Sequence, residues 1–294
     1  MGNQVTVAII GGSGKMGRWF ANFLLKDGYE VVITGRNEKK LLEAKRQLGV
    51  EVTTNNIEAV KKAKAILISV PIDNFEEVME QICPYTHPEQ VIIDITSIKA
   101  FPVEIMHKHI KTGLVLGVHP MFGPGARDIA NQSFILTPTN EEERALAQKI
   151  RKYLETRGAR VTLMSPDEHD EMMGVILGLS HFIAIVSADT LLSFDKLKQM
   201  RAIGGSTFKL LLTLAEGVIS EDPEFYTSLQ MNLPNIAEIE KLFQRRAKTW
   251  ADLVENKDRE KFAQRMNALK NRLNEVNPDF GKAYEDMYKL VEGL

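Results

Sequence analysis

The chain has 294 residues, 44% of them apolar, and a formal net charge of −2, which is material for about two domains with cores of their own. So balanced a charge offers no basic surface for nucleic acid or an anionic membrane. Cys83 is the only cysteine, so no intrachain disulfide forms and a reducing, cytoplasmic setting is expected.

An apolar, β-branched run, residues 5–10, stops at a glycine cluster and passes directly into an amphipathic segment, residues 16–26. That pattern predicts strand, tight turn and helix, and it leaves no room for a secretory leader. Gly12, Gly14 and Gly17 have the spacing G-x-G-x-x-G. In a dinucleotide site the first glycine allows the turn and the second lets the backbone approach a pyrophosphate. The third lets the helix pack closely on the strand. With Ser13, Lys15 and Met16 between them, these glycines are the candidate cofactor loop, opening on a helix N-terminus that favours phosphate.

A second strand pattern, residues 30–34, ends in Thr34-Gly35-Arg36, with no acid until Glu38. An acid at this strand end suits the ribose 2′-hydroxyl of NAD, and a nearby arginine suits the 2′-phosphate of NADP. Arg36 therefore favours NADP over NAD. Further strand signals at residues 51–53, 65–70, 91–95 and 114–118 alternate with helical ones, which predicts a doubly wound parallel sheet. Pro71 ends the fourth strand, and ligands of such sheets lie beyond the carboxyl ends of the strands. Val70 and Pro71 are thus expected beside the nucleotide, with Ser97 facing the reaction centre. A strand at 134–136, a helix at 141–157 and a strand at 160–163 complete the first domain.

Ser165-Pro166-Asp167-Glu168 is a capping box with proline at the first helical position. Only helical patterns follow it. The expected architecture is an α/β Rossmann domain over residues 1–164, then an all-α substrate and dimerisation domain over residues 165–294. Residues 175–194 are apolar enough to span a membrane, but Ser180, His181, Ser187 and Asp189 argue for a helix buried in the helical domain.

His119 opens the loop His119-Pro120-Met121-Phe122-Gly123-Pro124-Gly125 at a strand end on the ligand side. A histidine there is placed to accept a proton near neutral pH, or to hold the proline-rich turn. Ser97 suits a substrate hydroxyl, or the cap of the next helix. His181, on an apolar helix, suits a substrate contact, or a buried neutral ring with one hydrogen bond. Glu168-His169-Asp170-Glu171 is not expected to bind metal, because consecutive helical residues point in different directions.

The glycine loop, Asp94-Ile95-Thr96-Ser97-Ile98-Lys99, His119-Pro120-Met121-Phe122-Gly123-Pro124, Glu168-His169-Asp170 and Ser180-His181-Phe182, in this order, resemble the prephenate dehydrogenase family, arogenate dehydrogenases included. The resemblance implies oxidative decarboxylation of prephenate to 4-hydroxyphenylpyruvate in tyrosine synthesis. His119 would take the ring hydroxyl's proton, Ser97 would align the hydroxyl, and His181 would contact substrate. It also implies a homodimer formed by the helical domain, with active sites in the cleft between domains. Many members carry a carboxylate-binding arginine where this chain has Gly217, so Lys209, Arg201 and Arg127 are the candidate replacements. Arogenate, another hydride-transfer reaction on this scaffold, and a non-enzymatic NADP sensor are the alternatives.

Overall fold

Eight short strands build one sheet in this computed structural model, which describes residues 5–293. They are β1 (Thr6–Ile10), β2 (Glu30–Thr34), β3 (Glu51–Thr53), β4 (Ala65–Ile68), β5 (Val91–Asp94), β6 (Leu114–Pro120), β7 (Ser133–Thr137) and β8 (Arg160–Leu163). Their order is β3-β2-β1-β4-β5-β6-β7-β8. Neighbours are parallel except β6 and β7, which pair antiparallel, so the last two strands run against the others.

The strands alternate side chains between two apolar faces, as a sheet covered on both sides must. Val7, Ile9, Val31, Ile33 and Leu116 pack with Phe20, Leu24, Leu41 and Ala147. Those partners come from α1 (Lys15–Lys26), α2 (Glu38–Leu48) and, later in the chain, the helix Glu141–Glu155. Ala8, Ile10, Val32, Ile66, Ile92 and Val115 pack on the other face with α3 (Asn56–Lys62), α4 (Phe75–Ile82) and α5 (Ala100–His109). With the helix Glu141–Glu155 as α6, this is a doubly wound α/β unit.

The strand order reverses between β1 and β4, the usual place for a ligand crevice. There the two loops touch. Ser69 N–H donates to Ile10 O at 2.8 Å, and a Cβ on Gly11 would lie 2.4 Å from Ser69 O.

The capping box forms as expected. Glu168 N–H donates to Ser165 Oγ at 3.2 Å, and Ser165 N–H donates to Glu168 Oε2 at 3.0 Å, starting α7 (Pro166–Met173). One compact unit runs through Met173 and includes Met231–Pro234; the other comprises Gly174–Gln230 and Asn235 onward. Buried His169 and Asp170 tie α7 to the sheet, which is why it belongs to the first unit.

The second unit is helical. A π-helical turn, Gly174–Leu179, leads into α8 (Ser180–Leu192), followed by α9 (Leu197–Ile203), α10 (Ser206–Ile219), α11 (Pro223–Asn232), α12 (Ile236–Glu255), α13 (Arg259–Val276) and α14 (Ala283–Glu292). The apolar segment expected to be buried is not. In the continuous helix Pro166–Leu192, which is long and apolar enough to cross a membrane, only 11% of the most apolar window is buried. Val175 and Leu192 are more than half exposed. Hydropathy marks a surface to be covered, and this chain does not cover it alone.

Candidate active site

The glycine loop has the form of a dinucleotide cradle. The turn's left-handed residue is Gly11, with φ +79°, rather than Gly12. Gly12 is required by contact instead, since a Cβ there would lie 2.6 Å from Ile33 Cβ. A Cβ on Gly17 would lie 2.5 Å from the Gly12 Cα, so the helix start packs directly on the turn. Gly14 is different. It is exposed, and its Cβ would meet nothing closer than 3.5 Å. It is also the N-cap of α1, with no side-chain cap and no acid in the first turn. The helix start therefore fits a pyrophosphate. Ser13 lies in this loop, Lys15 and Met16 open α1, and Val70 and Pro71 follow β4. Arg36 is exposed just past β2 and makes no hydrogen bond or ion pair among the described residues.

His119 sits inside β6, not in the loop after it. It pairs with Ile135 of β7 and is 4% exposed. The loop beyond is pinned to α1, where the Trp19 indole N–H donates to Ala126 O at 2.7 Å and the ring packs edge-on to Phe122.

His119 Nδ1 meets His169 Nε2 at 2.7 Å, and His169 Nδ1 meets Asp170 Oδ1 at 2.6 Å. The same carboxylate accepts the backbone N–H groups of Lys99 at 2.7 Å and Ala100 at 2.9 Å, capping α5 from α7. This fixes the direction of every proton. Asp170 is an acceptor surrounded by donors, so His169 carries its proton on Nδ1. The bare His169 Nε2 accepts from His119 Nδ1–H, which leaves the His119 lone pair on Nε2.

Lys99 is wholly buried beside this chain. Its ammonium bonds the buried Asp94 carboxylate and donates to Val118 O at 3.0 Å. Burial lowers the Lys99 pKa, and Asp94 opposes that shift. Burial, the neighbouring His169 and the Lys99 charge hold His119 well below the usual imidazole range. Burial also lowers His169, against the pull of Asp170. Both rings are neutral at neutral pH.

Ser97 follows β5 and is half-buried; its hydroxyl makes no hydrogen bond among the described residues. It does not cap α5, because Asp170 does. His181 belongs to the second unit, where its ring lies edge-on to Tyr226 at 4.8 Å. Its Nδ1 is buried without a partner among the described residues, and burial lowers its pKa. Lys209 and Arg127 are exposed. Arg201 is bonded to Glu216 at 2.6 Å, so its charge is already engaged. Gly217 has open space where a side chain would stand. His169, Asp170 and Lys99 were not among the expected site residues. The available signal was a histidine and an acid placed between a capping box and an apolar helix.

Two family models match this chain: the prephenate dehydrogenase nucleotide-binding domain over residues 20–163, and the prephenate dehydrogenase dimerization domain over residues 165–268. The chain belongs to the prephenate dehydrogenase family. A probable arogenate/prephenate dehydrogenase of Methanocaldococcus jannaschii is 36% identical over 266 residues, 90% of this chain. The chain spans only 60% of that relative's length. The T-protein of Haemophilus influenzae is 27% identical over 98% of this chain and 72% of its own. Among solved structures, Aquifex aeolicus prephenate dehydrogenase, in complex with hydroxyphenyl propionate and NAD+, superimposes with a TM-score of 0.76 at 22% identity. That match covers 94% of this chain and 99% of the other. Synechocystis arogenate dehydrogenase gives a TM-score of 0.67 at 19% identity, covering 92% of this chain and 100% of its own. At these identities the structural likeness shows the prephenate dehydrogenase fold.

Proposed function

We propose that this chain catalyses the NADP-dependent oxidative decarboxylation of prephenate to 4-hydroxyphenylpyruvate. The observation that carries this reading is the one-way hydrogen-bond chain from Asp170 through His169 to His119. It leaves a neutral histidine whose free nitrogen is the basic one, beside the ligand end of a nucleotide-binding sheet.

His119 Nε2 takes the proton of the ring hydroxyl as the carbon beneath it loses hydride. Nicotinamide, when bound, supplies the hydride acceptor. The positive charge gained by His119 is shared with His169 and faces the Asp170 carboxylate beyond it. The ring carboxylate then leaves as carbon dioxide, because the ring becomes aromatic, and the new phenol oxygen retakes the proton. Ser97, half-buried after β5 with an unengaged hydroxyl, aligns the substrate hydroxyl. His181 is a substrate contact by the family resemblance. Gly12, Gly14 and Gly17 hold the pyrophosphate, with Ser13, Lys15, Met16, Val70 and Pro71 around it, and Arg36 pairs with a 2′-phosphate.

The helical unit forms a homodimer. Support comes from the dimerization-domain match and from an apolar groove of about 690 Å³ between α12 and α13, lined by Trp250, Val254, Phe262, Met266 and Leu269. Because Gly217 stands where the family resemblance calls for an arginine, the side-chain carboxylate of the substrate needs another partner, and Lys209 and Arg127 are the exposed candidates.

The test is an absorbance assay of nicotinamide reduction with prephenate and with arogenate, each against NADP and NAD. Rapid reduction with prephenate and NADP is expected. Reduction with arogenate alone would move the substrate assignment. No reduction with either, in protein that binds cofactor, would refute the reading.

A further inference from the structure

The end of β2 contains a contact that bears on cofactor choice and rests on the NADP reading above. Ser13 N–H donates to Thr34 O at 3.2 Å, so the glycine loop is tied to the last residue of β2. Arg18 tightens the same junction from α1. Its Nε donates to Ser13 O at 3.0 Å, and its NH2 donates to Lys40 O, at the start of α2, at 2.7 Å. Thr34 Oγ1 accepts Gly11 N–H at 3.3 Å and donates to Asn56 Oδ1 at 2.6 Å. The loop therefore cannot retreat from β2 without breaking several bonds.

Gly35 sits against this junction. A Cβ built on it would lie 2.3 Å from Ser13 Oγ and 2.8 Å from Ser13 Cβ. The hydroxyl can rotate away, but the Cβ is fixed by the tethered backbone. Position 35 is the first residue after β2, where an NAD site presents its ribose-binding acid. The following residues cannot replace that acid. Arg36 is a cation, and the Asn37 side chain is engaged as the N-cap of α2, accepting Lys40 N–H at 3.0 Å.

We propose that Ser13 and Gly35 form a steric gate for cofactor choice. While serine stands at position 13, position 35 accepts no side chain, so the end of β2 cannot offer a carboxylate to a ribose 2′-hydroxyl. Cofactor preference is thus written at two positions, the glycine loop and the strand end, rather than at the strand end alone. Introducing the acid without removing Ser13 pushes the two apart and spoils the cradle for every dinucleotide.

The experiment is a binding cycle measured without turnover. NADP and NAD are titrated calorimetrically into the full chain and into Ser13→Gly, Gly35→Asp and Ser13→Gly/Gly35→Asp, with melting temperature as the check on folding. Gly35→Asp is expected to weaken both cofactors about tenfold or more. The double variant is expected to bind NAD at least tenfold more tightly than Gly35→Asp does, and to prefer NAD over NADP. If Gly35→Asp gains NAD affinity as fully as the double variant, Ser13 gates nothing and the proposal falls. It falls also if the double variant folds and binds NAD no better than Gly35→Asp. A wild-type chain that prefers NAD would overturn the NADP reading instead, and the cycle would still report on the gate.

Discussion

Asp170→Asn separates a structural role for the buried relay from a chemical one. The two oxygens of Asp170 accept three donors: Lys99 N–H, Ala100 N–H and His169 Nδ1–H. An asparagine keeps one acceptor oxygen and brings an N–H₂ group into a set of donors. Either orientation leaves one backbone N–H of α5 without a partner, which costs about 1–3 kcal/mol of stability. One orientation also offers a donor to His169 Nδ1. His169 must then hold its proton on Nε2 and give it to His119 Nδ1, which moves the His119 proton to Nε2 and removes the base. The lost carboxylate adds an electrostatic cost. At an effective dielectric of about 20, a unit charge two hydrogen bonds and one imidazole ring away is worth about 2 kcal/mol to a protonated His119. At about 1.4 kcal/mol per decade, that is roughly a 30-fold loss, and tautomer reversal deepens it. Steady-state kinetics should show kcat down about 30- to 100-fold, with NADP binding by titration within about twofold of wild type. The acid limb of kcat/KM belongs to the His119–His169 pair and should move to lower pH, because the carboxylate that favours protonation is gone. A folded variant with kcat within about threefold of wild type, or an acid limb displaced upward, would refute the relay.

Four further outcomes are expected. His119→Ala should lose about two to four orders of magnitude in kcat and keep its NADP dissociation constant, by assay and titration. Lys99→Met should lower unfolding stability by about 3–5 kcal/mol in urea titrations, because buried Asp94 is left unpaired, and Asp94→Asn added to it should recover part of that loss. His119 and His169 have folded pKa values below their unfolded ones, so the unfolded chain takes up protons first as pH falls. Their stability contribution is complete above about pH 6.5 and is lost below it, by up to about 1.4 kcal/mol per pH unit for each ring, and thermal melts between pH 7.5 and 5.5 would report it. Arg201→Ala should leave KM within about twofold of wild type, since its guanidinium is already spent on the exposed Glu216.

The fold was legible where local pattern and global role coincide. Continuous apolar runs such as Val7-Ala8-Ile9-Ile10 and Val31-Val32-Ile33 mark strands buried on two faces, and the Ser165–Glu168 pair marks a helix start that forms as written. Strand direction was not legible. The apolar run Phe134 to Leu136 reads the same whether β7 runs with β6 or against it. Nor was the covering of residues 175–194, because an apolar helix reads alike in a core and on a face awaiting a partner. At the candidate site, His119 is singled out by its strand end, and the structure buries it within β6. Its partners were hidden by distance, since His169 lies fifty positions along the chain. Consecutive helical residues point in different directions, which argues against a metal site at residues 168–171 and says nothing of a hydrogen bond between His169 and Asp170. On α7 both are buried, and Asp170 turns back to bond its own neighbour and the start of α5.

In the proposed reaction, the buried charges around His119 let a ring that rests neutral accept a proton. Lys99 and Asp94 form a buried ion pair, which adds a dipole but no net charge. Asp170 is balanced by the N-terminal amides of α5, the positive end of that helix. The pocket is thus polar but near neutral at rest, and a counter-charge stands one ring away when His119 becomes positive, which is preorganisation rather than simple basicity. This arrangement reaches back into the strand itself. Val115, Gly117 and His119 share one face of β6, and a Cβ on Gly117 would lie 2.4 Å from Thr137 Oγ1, 2.8 Å from Val103 Cγ2 and 3.2 Å from Lys99 Cδ. Gly117 is therefore bare because Lys99 passes close by and Val103 and Thr137 pack against the same spot. Gly117 thus lies two residues before His119 in the strand, where a side chain would first collide with Thr137 and Val103 and would press on the Lys99 stem that reaches Asp94 and the Val118 carbonyl.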